Sequence, residues 1–203
     1  MQEENHTPTD RYRSIEAPST GVYKDNGSKF LAFAFPVETE EQAKEHIAAL
    51  RKEYFDARHH CYAWRIGLEG ALWRANDDGE PSSTAGRPIL GQLLSAELSD
   101  ILVVVVRYFG GVKLGVPGLI KAYKTATAEA IAAARIVEKT ACATCRIGFD
   151  YTRMNDVMKI VKDWNLRILS QQFENDCEIT VRVGLAKVDA FCENLRWARV
   201  EII

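Results

Sequence analysis

The stretch ILVVVVRYFGGVKLGVPGLIKAY, residues 101–123, decides the fold of this chain. Its first six residues, Ile101–Val106, are all apolar. A run of this length without polar alternation predicts a β-strand that is buried on both faces. A loop with four glycines and Lys113 follows, and Pro117 then precedes a helical pattern. A buried strand, a glycine-rich loop and a helix start in this order are typical of a place where the backbone approaches another group closely.

The composition is that of a globular protein without a strong charge preference. The 203 residues are 47% apolar and 27% charged, with a formal net charge of -2, so nucleic-acid binding would need a local cluster of cations. No apolar segment is long enough to span a membrane, and the first residues lack a signal-peptide core, so we expect a cytoplasmic protein. Five scattered cysteines indicate reduced thiols rather than a disulfide framework.

The order of predicted elements indicates an α+β chain of two domains. The first domain, residues 1–137, begins with a flexible arm at 1–19 that is rich in polar residues. Residues 21–37 are interpreted as one mostly buried strand. From 138 to 203 the pattern restarts as β-α-β-β-α-β, the order of a ferredoxin-like unit. Within it, Cys177–Val183 alternates apolar and polar residues, so one face of this second sheet is expected to face solvent.

A polar motif, NDDGEPSSTAG at residues 76–86, lies before a predicted amphipathic helix. Three carboxylates fall within four residues, on Asp77, Asp78 and Glu80. Such carboxylates could hold a metal ion or provide general acid and base groups. They could instead belong to a solvated turn around Gly79, and the residue types favour this turn.

Two neighbours of this acidic loop allow more than one interpretation. Thr84, Ala85 and Gly86 suit a helix start, where Thr84 caps the helix and the small residues permit close approach. The same three residues could form an anion seat at the helix N-terminus. His59 and His60 are consecutive on a predicted strand and therefore face opposite ways, so only one of them is expected to line a cleft near the loop.

Neither a cofactor nor a metal ion is predicted. The loop at 110–118 matches neither GxxxxGK[ST] nor GxGxxG, so ATP hydrolysis and dinucleotide binding are unsupported. Its glycines could serve a ligand or RNA contact, or only a sharp turn, and both alternatives stay open. Cys142 and Cys145 form a lone CxxC in a predicted strand. A zinc site would need two further ligands at matching spacing.

Taken together, the two motifs resemble a known pair. DDGEPSSTAGRPIL at 77–90 and VVRYFGGVKLGVPGLIKAY at 105–123 closely resemble the two signature motifs of the IMPACT/YigZ family. Residues 140–203 resemble the small C-terminal domain of its bacterial members. The resemblance implies an N-terminal domain with the left-handed β-α-β fold of a small-subunit ribosomal protein domain and of domain IV of elongation factor G. It implies a C-terminal domain like the ferredoxin-like domain V of that factor.

The resemblance also implies a function. Eukaryotic relatives regulate translation by competing for the activator of a starvation-sensing kinase. The chain is therefore expected to be a translation-associated regulatory or binding protein that contacts RNA, the ribosome or a translation-factor partner through a cleft between the two motifs. A protein partner on the solvated hairpin face of the second domain is a further option. The alternative is a small-molecule hydrolase or transferase using the loop Asp77–Glu80, although the residues favour a protein that is not an enzyme. The oligomeric state stays open.

The expected binding residues come from both motifs. They are Asp77, Asp78, Gly79, Glu80, Thr84, Ala85, Gly86, Arg107, Tyr108, Gly110, Gly111, Lys113, Gly115, Gly118, Lys121 and Tyr123. Among them, Arg107, Lys113 and Lys121, together with Lys124 nearby, are cations that could contact phosphates.

The chain departs from the family pattern at two places. Ser83 stands where members commonly have Gly, and Val116-Pro117 stands where they have Thr-Gly. Because Pro117 removes an N–H at the helix start and restricts Val116, a backbone anion seat there is expected to be weaker than in a typical member.

Overall fold

The computed structural model describes residues 10–173 and 177–203, which form two compact units. The first unit is Tyr12–Lys139. The second combines Thr140–Ile203 with the described residues up to Arg11, and the Ala141 N–H donates to the Asp10 carbonyl at 2.6 Å. The predicted α+β class is confirmed by the helices and sheets of both units. None of the helices in these ranges is long and apolar enough to cross a membrane.

The first part of the chain contains a five-stranded antiparallel sheet with strand order β2-β3-β6-β4-β5 and a two-stranded sheet of β1 and β7. Its elements are β1 (Arg11–Ile15), β2 (Ser19–Asp25), β3 (Ser28–Pro36), α1 (Glu40–Glu53), β4 (His59–Ile66), β5 (Leu72–Asn76), α2 (Gly86–Ser95), β6 (Ile101–Tyr108), α3 (Gly115–Ala132) and β7 (Ile136–Thr140).

The central strand β6 is buried on both faces, as its apolar run predicts. Val103 and Val105 belong to the core that α2 and α3 cover, whereas Leu102 and Val104 belong to the core under α1. All four side chains are fully buried. Because β6 lies between β3 and β4 and is antiparallel to both, its uniform apolar character comes from two helix layers rather than from a parallel sheet.

The segment interpreted as one strand at residues 21–37 is a hairpin, so that interpretation is wrong. Strands β2 and β3 are joined by Asn26 and Gly27, whose φ angles are 44° and 76°. Asn-Gly with both residues at positive φ is the typical two-residue hairpin turn. The interpretation as one strand rests on the apolar residues after Lys29, and the Asn-Gly pair between charged residues is the signal of the turn.

The predicted flexible arm at 1–19 contains a strand. Residues 1–9 of that arm lie outside the described residues, but β1 pairs with β7. Ile15 is fully buried in the core, and the Arg13 carbonyl accepts the Ser99 N–H at 2.9 Å. A single buried isoleucine between polar neighbours gives little periodic signal, so tertiary contacts rather than local sequence define this strand.

The elements of the second unit are β8 (Cys142–Phe149), α4 (Met154–Asp163), β9 (Arg167–Phe173), β10 (Cys177–Gly184), α5 (Val188–Asn194) and β11 (Arg199–Ile202). Its strands form one four-stranded antiparallel sheet in the order β11-β8-β10-β9. One side of the sheet packs Ile147 and Val181 against Phe191 of α5. On the other side, Arg146 lies 3.3 Å from Glu178 and 3.6 Å from Glu201, so charges on this open face pair with one another.

Candidate functional site

The two motifs meet in a buried cluster of three side chains. Arg107 Nη1, at the end of β6, donates to Glu80 Oε1 of the acidic loop at 2.6 Å. The Tyr123 hydroxyl of α3 donates to the same oxygen at 2.8 Å. Only 7% of the Arg107 side chain and 3% of the Glu80 side chain are exposed. The space between the two motifs is therefore occupied by these three side chains. The cluster also links the end of β6 to α3 on either side of the glycine loop.

Arg107 is part of the protein interior rather than a surface cation. Its guanidinium lies 5.4 Å from the Phe30 ring centre and 5.6 Å from that of Phe109, an arrangement that stabilises a buried cation. Its Nε atom is buried and has no hydrogen-bond partner among the described residues. The sequence-based expectation that Arg107 contacts phosphate is not supported by this geometry, because its charge is neutralised internally.

Tyr123 and Cys61 act in the cluster as neutral groups. Cys61 Sγ lies 3.3 Å from the Tyr123 hydroxyl and donates to the Asp77 carbonyl at 3.0 Å. Burial raises the pKa of both the Cys61 thiol and the Tyr123 hydroxyl well above the ordinary range. Both groups therefore keep their protons at neutral pH and act as hydrogen-bond donors, and Cys61 is not an activated nucleophile.

Asp77 caps the N-terminus of α2. Its Oδ1 accepts the backbone N–H groups of Ala85 at 3.0 Å and Gly86 at 2.8 Å, and its Oδ2 accepts that of Ser83 at 2.8 Å. Thr84 is turned away and donates to the Pro81 carbonyl at 2.6 Å. The anion seat considered at this helix start is thus occupied by a carboxylate of the same loop, which satisfies N–H groups that would otherwise be free.

Asp78 ties the acidic loop to α1 and β4. Its Oδ1 accepts Arg51 Nη2 at 2.5 Å and its Oδ2 accepts the His60 N–H at 2.7 Å. His59 Nδ1 lies 2.9 Å from the Asp78 carbonyl oxygen, and Gly79 completes the turn with φ 85°. Each of the three carboxylates is therefore bonded within the chain, which supports the turn interpretation. Among the described residues, no group of three His, Cys, Asp or Glu side chains is placed to hold a metal ion.

His60 is expected to make the stability of the first unit depend on pH. Burial lowers the pKa of its imidazole, and the nearby Asp78 carboxylate opposes this only in part. Because the unfolded chain, with a pKa of about 6.5, then binds the proton more readily than the folded chain, stability is fully present above pH ~6.5 and is lost as the pH falls below that value. We expect the urea midpoint to drop between pH ~7.5 and pH ~5.5, and to drop less in His60→Gln. Equal drops in both proteins would contradict this role.

The glycine loop approaches the β2–β3 hairpin rather than an external ligand. The Gly110 N–H donates to Ser28 Oγ at 3.1 Å, and a Cβ on Gly110 would lie 1.9 Å from the Gly27 carbonyl carbon. Gly111 is different, since its φ is 89° and no atom outside its chain neighbours lies within 4 Å of an added Cβ. The close backbone approach suggested by the sequence is therefore the contact of Gly110 with the β2–β3 hairpin of the same chain.

Helix α3 begins three residues earlier than the sequence predicts. It begins at Gly115, with φ 69°, and not at Gly118. Pro117 consequently lies in the first turn, where its missing N–H has no intrahelical partner to lose. Gly118 faces the Leu114 side chain, whose Cβ would be 2.9 Å from an added Cβ. Pro117 thus fits the fold, while it still reduces the number of free N–H groups at this helix start.

The exposed part of the glycine loop and α3 is basic and apolar. We use the name lysine surface for the exposed lysines at this end of the first unit. Lys113, Lys121 and Lys124 are on the glycine loop and α3, whereas Lys24 and Lys29 are on the β2–β3 hairpin and point to the sheet face opposite α3, because they alternate with Tyr23 and Phe30 of the core. All five side chains are exposed, and none forms an ion pair with a carboxylate of residues 10–173 or 177–203. Exposed apolar side chains lie among them, namely Phe109, Val112, Val116 and Ile120.

The cations expected from the sequence to contact phosphates do not include two members of the lysine surface. Lys24 and Lys29 are directly opposite each other on the β2–β3 hairpin, whose turn contacts Gly110. The Asn26-Gly27 turn was the signal that could have placed them there. Tyr108, the remaining predicted site residue, donates its hydroxyl to Asp56 at 2.7 Å, and this bond raises the pKa of Tyr108 to about 12.

These features define a class of protein, a two-unit α+β chain in which an acidic loop and a glycine loop are joined by one buried Glu–Arg–Tyr cluster. Residues 26–131, which include both motifs, match the family model of the Impact N-terminal domain. The chain is 34% identical over 166 residues to the IMPACT family member YvyE of Bacillus subtilis, covering 82% of this chain and 76% of YvyE. It is 32% identical over 181 residues to YigZ of Escherichia coli, covering 88% and 89%. The chain belongs to the IMPACT family.

A solved structure supports the same relationship across both units. The crystal structure of a hypothetical protein superimposes with a TM-score of 0.75 and 30% sequence identity, covering 95% of this chain and 97% of the other. The likeness therefore extends beyond the residues of the matched family model.

Proposed function

We propose that this chain is a cytoplasmic, translation-associated regulatory protein that binds RNA, free or within the ribosome, through the lysine surface. Membership of the IMPACT family supports the link to translation, since the family resemblance implies such a role. Kinship of the two units with domains IV and V of elongation factor G is part of the proposal. The β-α-β-β-α-β order of the second unit supports the domain V comparison.

The observation that carries the proposal is the set of lysines that form no ion pair with any carboxylate of the described ranges. Lys24 and Lys29 face each other across the hairpin, and like charges in that position repel unless an anion lies near them. The remaining members, Lys113, Lys121 and Lys124, lie on the glycine loop and α3, on the other side of the sheet from Lys24 and Lys29. Since the whole chain has a net charge of -2, this local excess of cations suits a polyanion such as RNA.

Exposed Phe109 favours RNA over a simple anion. The ring is about half exposed beside Lys113 in the same loop. Single-stranded RNA is commonly bound by cations that contact phosphates together with aromatic rings on which bases stack. Arg107 has no part in phosphate contact in this proposal, because it is paired with Glu80.

The test is the salt dependence of binding to ribosomal subunits and to a labelled single-stranded RNA of about 20 nucleotides. We expect Lys113→Glu/Lys121→Glu to weaken binding and to reduce the slope of log affinity against log salt by about 0.7–0.9 for each lost phosphate contact. The matched control is Lys159→Glu/Lys162→Glu, which makes the same charge change on exposed residues of α4.

The binding results distinguish three explanations: RNA contact through the lysine surface, an effect of net charge, and a protein partner. Identical salt curves for the wild type and Lys113→Glu/Lys121→Glu would contradict the lysine surface as the RNA contact. Equal losses in both double variants would show that net charge alone determines binding. The wild type could instead show no RNA affinity but bind a purified translation factor, with that binding lost in Lys113→Glu/Lys121→Glu. In that case the partner of the lysine surface would be a protein rather than RNA.

A further inference from the structure

The edge of the first unit's sheet has an open, apolar strand. Within the described ranges β5 pairs only with β4, and its outer backbone edge has no strand beside it. Leu72 is 56% exposed and Trp73 is 51% exposed. Natural edge strands are usually protected by charge, proline, a bulge or a covering element. Strand β5 carries one exposed charge, Arg74, beside two large exposed apolar side chains, and such an edge is a template for the addition of another strand.

Helix α2 continues this surface beside the strand. Arg87, Gly91 and Leu94 lie on one side of the helix, because their spacings are four and three residues. The Arg87 guanidinium lies 5.3 Å from the Trp73 ring centre, and Leu94 is exposed. We call the surface formed by β5 and this side of α2 the edge groove.

Gly91 makes a gap in the edge groove that the chain itself does not fill. Apart from its chain neighbours and the backbone of α2, no described atom lies within 4 Å of the position that a Cβ on Gly91 would take, so this position is open space. Glycine inside a helix destabilises it relative to most other residues, and no described neighbour of Gly91 requires the small size. The gap beside Trp73 and Leu94 is therefore available to a side chain from another molecule.

The charges of the edge groove favour an acidic occupant. Arg74 and Arg87 are exposed, and neither lies within ion-pair distance of a carboxylate in the described part of the chain. A second copy of this chain, paired edge to edge, would bring the same arginines towards each other, which costs energy. An acidic segment of a different protein has no such conflict.

We propose that the edge groove binds an extended segment of another protein in which apolar and acidic residues alternate. Successive residues of a strand point to opposite faces of a sheet. Trp73 points to the α2 side, where Arg87 stacks on it, so Arg74 and Leu72 point to the other side. A strand added to β5 places its apolar side chains against Trp73 and Leu94, over Gly91, and its carboxylates beside Arg74. This site is separate from the lysine surface and does not depend on the RNA proposal.

The first test uses the whole protein and a fluorescent heptapeptide in which valine alternates with glutamate, followed by anisotropy. We expect saturable binding. Binding should be at least about tenfold weaker for one of two peptides, N-methylated at the valines or at the glutamates, because alternate N–H groups of a strand point to the same edge and only one set can pair with β5. A valine–lysine peptide should also bind more weakly. Arg74→Glu is expected to reverse the preference between the two unmodified peptides.

The second test uses Gly91→Gln, for which two expected effects have opposite signs. Replacing an exposed helical glycine with a good helix former should raise the thermal unfolding midpoint. Filling the gap should weaken binding of the valine–glutamate peptide by about tenfold. A variant that is more stable and binds less cannot owe its loss to unfolding. Gln92→Ala, on another side of α2, is the control and should leave peptide affinity unchanged.

Three outcomes would overturn the proposal. One is peptide affinity that does not change in Gly91→Gln and Arg74→Glu. Another is equal affinity for the unmodified peptide and both N-methylated peptides, which would exclude strand addition. The third is a wild-type dimer in sedimentation experiments that Gly91→Gln dissociates, because it would assign the edge groove to a second copy of this chain.

Discussion

Glu80→Ala is expected to lower the free energy of unfolding by about 3–5 kcal/mol. The substitution leaves the Arg107 guanidinium buried without its carboxylate, and it removes the acceptor of the Tyr123 hydroxyl. Breaking a buried ion pair by removing one partner is costly because the remaining charge is uncompensated. Urea denaturation of the full chain at neutral pH, followed by the fluorescence of the first unit's tryptophans, measures the effect.

A double-mutant cycle separates the ion pair from loss of packing. In Glu80→Ala/Arg107→Met no unpaired charge remains, so we expect this protein to recover part of the stability lost in Glu80→Ala. Asp78→Ala is the matched control in the same loop, since the Asp78 side chain is 23% exposed and its ion pair with Arg51 is at the surface. It should cost less than Glu80→Ala, about 1–3 kcal/mol, since it also leaves the His60 backbone N–H without its acceptor. A loss below about 1 kcal/mol in Glu80→Ala would contradict the role of the cluster.

Gly110→Ala is expected to destabilise the first unit by about 2–4 kcal/mol. The added methyl group would lie 1.9 Å from the Gly27 carbonyl carbon and 2.2 Å from the Ser28 nitrogen. Both atoms belong to the backbone of a tight hairpin, so neither can move aside as a side chain would. The loop and the hairpin must separate, which also breaks the bond from the Gly110 N–H to Ser28 Oγ. Thermal and urea unfolding measure the loss.

Gly111→Ala is the control for this prediction. Its backbone has φ 89°, which is unfavourable for alanine, but an added Cβ meets no neighbouring atom. We expect a loss of about 1 kcal/mol from the backbone alone. Equal losses of stability in the two alanine variants would contradict the importance of the close approach at Gly110, because only Gly111 of the two has a positive φ. The Gly110 variant should in addition bind RNA more weakly, because Lys24 and Lys29 are held next to the glycine loop by this contact.

The elements of this fold that could be predicted are those with a local signal. The apolar run Ile101–Val106 identified β6, and the spacing of Ala43, Ile47 and Leu50 identified α1. The Asn26-Gly27 turn also has a local signal, an Asn-Gly pair between charged residues, which the alternation after Lys29 does not reveal. Strand β1 has almost no such signal and depends on contacts with distant residues.

The site could be predicted only as two motifs, because its chemistry is decided by tertiary contacts. Glu80 and Arg107 are 27 residues apart, and Glu80 and Tyr123 are 43 apart. Asp77, Asp78 and Glu80 look equivalent in the sequence. In the structure the first caps a helix, the second pairs with Arg51 at the surface and the third is buried with Arg107. The role of each carboxylate depends on the conformation of the loop. The residue composition of the loop does not determine that conformation.

The division of the chain between its units also affects the order in which the protein can fold during synthesis. The ribosome releases a chain from its N-terminus, and domains generally fold as units as they emerge. Tyr12–Lys139 is one uninterrupted segment, so the first unit can close as soon as Lys139 has left the exit tunnel. The hydrogen bonds of Asp10 form later, because the Ala141 and Ala186 N–H groups that donate to it follow Lys139 in the chain. In a nascent chain halted when Lys139 has just left the tunnel, the first unit can be complete while the Asp10 carboxylate still lacks the Ala186 N–H.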